Sequence, residues 1–197
     1  QQDKKFLRET FGTYIAPKVL DKMYEEKQAP KLGGVEGHHT AFFSDIQNFS
    51  PFSEVLEPER MVSLMNEYLT VMSKVILDNQ GTLDKYIGDA IVAFYGAPAP
   101  VKDHEIKSCY TALAMQKALD ELRVKWKNEN DWPDIVYSMQ HRIGLNCGKM
   151  VTGNMGSEMR MNYTMMGDTV NLAARLESSA KQYGVYNFVG ENIYEKT

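Results

Sequence analysis

The stretch "TLDKYIGDAIVAFYG", residues 82–96, limits the fold more than any other part of the chain. Two runs of strand type flank a tight Gly88-Asp89 turn, which reads as a β-hairpin. A hairpin makes neighbouring strands antiparallel, so the sheet is not purely parallel. Long helical stretches lie on both sides. Pro58 opens one in which Met61, Met65, Leu69, Met72 and Ile76 form an apolar stripe, and Gly81 ends it. Asp103, a residue suited to an N-cap, opens another that runs to about Lys127, with Ile106, Cys109, Leu113, Gln116 and Leu119 marking its buried side.

The remaining segments alternate in the same way. "HTAFFSDI" is a short apolar strand ending at Asp45, and "VYSMQHRIGLNCG" and "KMVTGNMG" read as two further strands. "YTMMGDTVNLAARLE" reads as strand, turn and helix, with Asp168 and Thr169 as capping residues. "YNFV" is a last strand and "ENIYEKT" the start of a last helix. Strands alternating with helices, hairpins included, indicate an α/β sandwich. Residues 1–37 read as a helical connector cut from something longer: Phe6, Leu7, Phe11, Tyr14 and Ile15, then a short helix from Pro17 with Val19, Leu20 and Met23 on one face. Pro30, Gly33, Gly34 and Gly37 punctuate its end, and residues 38–197 form the main domain.

Composition narrows the functional classes. The 197 residues suit one domain, and 43% hydrophobic residues are enough for a proper core. A net charge of −4 argues against a general nucleic-acid binder. No run approaches the roughly 18 apolar residues of a membrane span, and there is no signal-peptide pattern, so this stretch makes no membrane contact of its own. Cys109 and Cys147 read as buried thiols of a reducing compartment, which places the domain in the cytoplasm.

Two aspartates stand at backbone corners, Asp45 at a strand end and Asp89 at the hairpin tip. Alone, each could be a turn former or helix cap. Next to Asp45, "DIQNFSPFS" leaves a strand and turns into a helix, so backbone N–H groups around Asn48, Phe49 and Ser50 point outward as a phosphate cradle. Carboxylates beside phosphate make sense with a divalent cation between them, and two carboxylates can bracket two ions. Asn171 and Arg175, four apart on one helix face, then fit phosphoryl transfer: the Arg as a fork for phosphate oxygens, the Asn for a sugar oxygen. By themselves they could equally be a solvated face. Other signals fail. "GLNCGKM" is one residue too short for a P-loop and has Met150 where Ser or Thr is needed. His38-His39 has no further metal-spaced partner in the sequence, and no Ser/His/Asp arrangement is legible.

Four ordered motifs, "FFSDIQNFS", "LDKYIGDAIVAFYG", "HRIGLNCGKMVTGNMGS" and "YTMMGDTVNLAARLE", together resemble the class III nucleotide cyclases, the catalytic domains of adenylyl and guanylyl cyclases. The resemblance runs from about His39 to Lys196. It implies a polymerase-palm-like fold with a ferredoxin-like core, and a head-to-tail homodimer with active sites at the interface. Asp45 and Asp89, with the Ile46 carbonyl, would bind two Mg²⁺ or Mn²⁺ ions per site. Asn171 and Arg175 would come from the other protomer to orient the ribose and stabilise the transition state, giving cyclic nucleotide and pyrophosphate. "FGTYIAPKVL" resembles the connector that joins bacterial cyclases to an upstream sensor or membrane domain. Relatives have Gly where Asn48 stands, and they continue past the position of Thr197 into a hairpin bearing a phosphate-binding lysine.

In such domains Lys85 and Thr164 read the purine. Lys offers only donors and Thr can accept, which suits the N1 acceptor and N6 donor of adenine. Guanine would want an acidic residue at position 85. Lys with Thr resembles the class IIIb subgroup, which includes bicarbonate- or CO₂-responsive adenylyl cyclases. The expected activity is therefore conversion of ATP to cyclic AMP. The alternatives are a guanylyl cyclase or a non-catalytic nucleotide-binding or dimerisation module.

Overall fold

The computed structural model describes residue 12 and residues 15–26 and 30–197. Phe6, Leu7, Phe11 and Tyr14 lie outside the described residues. A short helix α1 (Pro17–Glu26) starts at the expected proline and buries Val19 and Leu20. β1 (Gly33–Ile46) then runs for 14 residues, well beyond the short strand expected. Gly33, Gly34 and Gly37 are paired strand residues, not turns: they face Asn154, Gly153 and Met150 of a strand long enough to supply the partner backbone.

After α2 (Ser50–Val55) and α3 (Pro58–Asp78) comes the hairpin of β2 (Thr82–Ile87) and β3 (Ala90–Tyr95), at the expected place. Gly88 at its tip has φ +63°, a conformation that glycine adopts without Cβ strain. α4 (His104–Glu129) and the single turn α5 (Asp134–Tyr137) lead to β4 (His141–Ser157). β4 is one continuous strand of 17 residues rather than two, and the preceding "VYS" belongs to α5 and the bend after it. There Pro133 pre-sets the first turn, and burial of Val136 closes it onto the core. β5 (Arg160–Met166), α6 (Asp168–Tyr183), β6 (Asn187–Val189) and α7 (Glu191–Tyr194) complete the chain.

The six-stranded sheet has the order β2-β3-β1-β4-β5, antiparallel throughout, with β6 added parallel to β4. Side-chain alternation divides the core into two layers. Phe42 and Ile46 of β1, Ile91, Ala93 and Tyr95 of β3, and Ile143 and Leu145 of β4 face α3 and α4. Ala41, Val92 and Phe94 face the other way, toward Val170 and Ala173 of α6. This is the expected α/β sandwich.

The helix faces show where periodicity guided well and where it did not. On α3 the stripe is right but centred on Leu64, Tyr68, Met72 and Ile76, with Met61, Met65 and Leu69 at its flanks. On α4 the buried residues are Ser108, Thr111, Ala112, Met115, Leu119, Leu122 and Trp126, while Leu113 is 61% exposed. Apolar side chains occur all round this helix, so their spacing carries little information. Neither expected cap forms. Asp103 takes a left-handed conformation without a side-chain cap bond, and Gly167 occupies the N-cap position of α6. The Thr169 hydroxyl instead donates to the Lys149 carbonyl at 2.8 Å and ties α6 to β4.

α6 sits directly on the sheet because Gly144 lies beneath it. A Cβ there would overlap backbone atoms of Ala173 and Glu177. Gly144→Ala is expected to lower stability by about 1–3 kcal/mol by overpacking, read as a lower urea midpoint at unchanged slope.

Candidate active site

Packing of α6 on the sheet builds a first cluster at the end of β1. Asp45 projects toward α6 and stands opposite Arg142 in the β1–β4 register. The Ile46 N–H donates to Asp89 Oδ2 at 3.1 Å, which pins the hairpin tip beside the end of β1. Arg142 is 8% exposed. Its Nη2 lies 3.9 Å from Asp45 Oδ2, and its Nε donates to Glu177 Oε1 of α6 at 3.2 Å.

Asp45 and Glu177 therefore share one guanidinium, with Asp89 close beside them. Burial pushes the Asp45 carboxyl up to about 7, helped by its hydrogen bond to Asp89 and by the charges of Asp89 and Glu177, with Arg142 opposing. Burial also raises the Glu177 carboxyl, against the pull of Arg142. Two carboxylates so close that one retains a proton near neutrality form an all-oxygen donor set suited to a hard divalent cation, whose charge would replace that proton. Asp45 and Asp89 are the residues that would hold it.

The predicted phosphate loop borders this cluster. Asn48 has φ +54°, the left-handed conformation that Asn tolerates, and its Oδ1 accepts from Lys181 Nζ at 3.5 Å. The Phe49 ring stacks on Phe52 with centroids 5.8 Å apart, and Ser50 begins α2.

The second cluster joins β2 to β5, the two ends of the hydrogen-bonded strand order. Lys85 Nζ donates to Thr164 Oγ1 at 3.3 Å, so the predicted pair meets across 79 residues. Between them lies Asp84, its side chain 1% exposed, which accepts the Thr164 hydroxyl and lies 3.4 Å from Lys85 Nζ. Adjacent strand residues ordinarily point to opposite faces. Here a register shift between Leu83 and Lys85 breaks the alternation, so Asp84 and Lys85 both reach Thr164.

Asn171 and Arg175 are exposed on α6, as their spacing predicts. Arg175 is 63% exposed and lies 3.7 Å from Asp168; among the described residues no ion pair joins it to Asp45 or Asp89. Asp84, Arg142 and Glu177 were missed as site residues. Asp84 depends on a bulge, and Arg142 and Glu177, 35 residues apart, meet only through the packing of α6.

The family model of the adenylate and guanylate cyclase catalytic domain matches residues 36–189. The chain belongs to this family. The cyclase domain is 32% identical over 175 residues to adenylate cyclase 1 of Rhizobium meliloti, covering 89% of the chain and 26% of that relative. It resembles the solved adenylyl cyclase CyaB from P. aeruginosa at 34% identity and TM-score 0.73, covering 84% and 82% of the two chains. The guanylyl cyclase Cya2 matches as well, at 33% identity and TM-score 0.73, covering 84% and 80%. Overall likeness thus leaves the purine open, and the second cluster must decide it. Cyclases of this class use divalent metal ions, as the first cluster's donor set requires.

A carboxyl group raised on folding contributes stability that is present below its unfolded value and lost as pH rises through its folded one. In metal-free domain, Asp45 therefore costs stability between about pH 4 and pH 7. Asp45→Asn is expected to stabilise the EDTA-treated protein by about 1–2 kcal/mol at pH 8, after discounting for partial exposure, and hardly at all at pH 4. Urea denaturation at the two pH values reads the difference.

Proposed function

We propose that this cyclase domain converts ATP to cyclic AMP and pyrophosphate, at sites shared between two copies of the chain. The hydrogen bond from Thr164 to Asp84 carries the choice of ATP. A carboxylate has no proton to give, so it takes the single hydroxyl proton of Thr164 and leaves that oxygen as an acceptor toward a ligand. Beside it Lys85 offers only donors. An acceptor next to a donor matches the N6 amino group and N1 of adenine. In the same orientation guanine reverses both partners and leaves each unpaired, which costs far more than a lost contact.

Asp45 and Asp89, with the Ile46 carbonyl, would hold two Mg²⁺ or Mn²⁺ ions, which when bound neutralise the triphosphate and ease ionisation of the ribose 3′-hydroxyl. The backbone around Asn48, Phe49 and Ser50 would cradle phosphate. Arg175 would place its guanidinium on the transferred phosphoryl group, and Asn171 would align the ribose so that the 3′-oxygen attacks the α-phosphorus as pyrophosphate leaves. Sharing between copies is supported by direction. The carboxylates and Glu177 lie on the sheet side of α6, whereas Asn171 and Arg175 face solvent. A second copy could supply what each site lacks.

Because the chain spans only 26% of the R. meliloti relative, an upstream sensor or membrane domain feeding the connector of residues 1–37 belongs to the same reading. Among the described residues no helix is long and apolar enough to cross a membrane. Two unpaired cysteines fit a reducing, cytoplasmic compartment.

Product analysis with Mn²⁺ should show cyclic AMP and pyrophosphate from ATP, and little cyclic GMP from GTP. Equal turnover of GTP would overturn the purine assignment, and no cyclic product from either would favour a binding module. Asp45→Ala and Arg175→Ala should each lose at least ~100-fold in activity. Mixed, they should recover about a quarter of the wild-type rate, since half of randomly paired dimers carry one intact site. Failure to recover would sink the shared site. Asp84→Asn, whose amide can donate to Thr164, should cut the preference for ATP over GTP by roughly tenfold, about 1.4 kcal/mol.

A further inference from the structure

His38 has no metal-spaced partner in the sequence, and alternation along β1 sends its neighbour His39 to the other face of the sheet. The fold supplies partners from 66 and 67 positions away, since His104 and Glu105 open α4 beside His38 (104 − 38 and 105 − 38). One potential ligand atom from each of the three lies within 4.8 Å of the others. His38 Nδ1 is 3.8 Å from Glu105 Oε1, and His104 Nδ1 is 3.5 Å from Glu105 Oε2. The two rings are tilted at 42° with centroids 5.6 Å apart.

Ligand atoms about 2.1 Å from a tetrahedral ion stand roughly 3.4 Å from one another. The three groups lie close enough to converge on one ion through side-chain rotation. Thr40, fully buried, fixes the His104 ring through a 2.7 Å hydrogen bond to Nδ1, so Nε2 is the nitrogen left to ligate. His38 is half exposed, which leaves a fourth position open to water.

We propose that His38, His104 and Glu105 form a site for Zn²⁺, separate from the carboxylates of the active site. The donor set decides the ion. Two imidazoles and one carboxylate suit a borderline transition metal, whereas Mg²⁺ and Mn²⁺ prefer the all-oxygen set at Asp45 and Asp89. Occupancy would clamp β1, which carries Asp45 at its far end, to the head of α4. The inference is independent of which nucleotide the domain uses.

Calorimetric titration with Zn²⁺ in millimolar Mg²⁺ tests it. The wild-type chain should bind one Zn²⁺ with a rise in Tm, and the Asp45→Ala/Asp89→Ala variant should bind it equally. His38→Ala and Glu105→Gln should weaken binding at least ~10-fold and abolish the rise. Both change solvent-facing or partly exposed groups and leave the Thr40–His104 bond in place, so folding is not at issue. Zn²⁺ binding unchanged by His38→Ala and Glu105→Gln, or lost with Asp45 and Asp89, would overturn the proposal.

Discussion

The ladder between β1 and β4 fixes everything else. It runs without a break from Gly33 opposite Asn154 to Ile46 opposite His141. Because side chains alternate, a slip of one residue would turn Asp45 from the α6 side into the layer of α3 and α4. The same register puts Arg142 across from Asp45 and puts Gly144 where α6 must approach. The length of β4 matters as well. Its other edge carries β6 at Ile143–Leu145 and β5 at Val151–Met166 through Ser157–Arg160, so the strand bearing Thr164 and the strand closing the C-terminal end both take their position from one backbone.

On this frame the two clusters have opposite electrostatic characters. At Asp84, Lys85 and Thr164 charge is balanced within the cluster: one carboxylate, one ammonium and one hydroxyl whose proton is already committed. Its members are tied to one another, although the buried Asp84 Oδ1 lacks a hydrogen bond of its own. At Asp45, Asp89 and Glu177 the balance is deliberately short, with Arg142 alone set against three carboxyl groups. Arg142 is buried with its Nη1 unpartnered, so even this one cation is incompletely satisfied. Without a cation the deficit is met by a retained proton, which a divalent ion would displace.

Much of this was legible in the residues. The hairpin, both long helices and the α/β class followed from periodicity and turn chemistry, because Gly88-Asp89, Pro58 and Gly81 act locally. Lys85 and Thr164 were singled out through family resemblance, and their side chains meet in the structure. What stayed hidden depends on tertiary packing. The buried face of α4 is set by what lies against it, not by its own spacing, as the exposure of Leu113 shows. Asp84 enters its cluster only through the bulge at Leu83–Lys85, and no local pattern announces a bulge. The length of β4 was obscured because Gly148 read as a break, although it stays within the ladder opposite His39.

The β2–β3 hairpin ties the clusters together. Lys85 and Asp89 are four residues apart, one in the cluster with Asp84 and Thr164 and the other in the carboxylate cluster, so one short hairpin carries a member of each. It is held at three points: by the Ile46 N–H at Asp89, by Asp84 at Thr164, and by a 2.7 Å hydrogen bond between Tyr86 and Ser73 of α3. Lys85 and Asp89 are thus positioned by one tethered unit, and the registers that seat the hairpin against β1 fix both clusters at once.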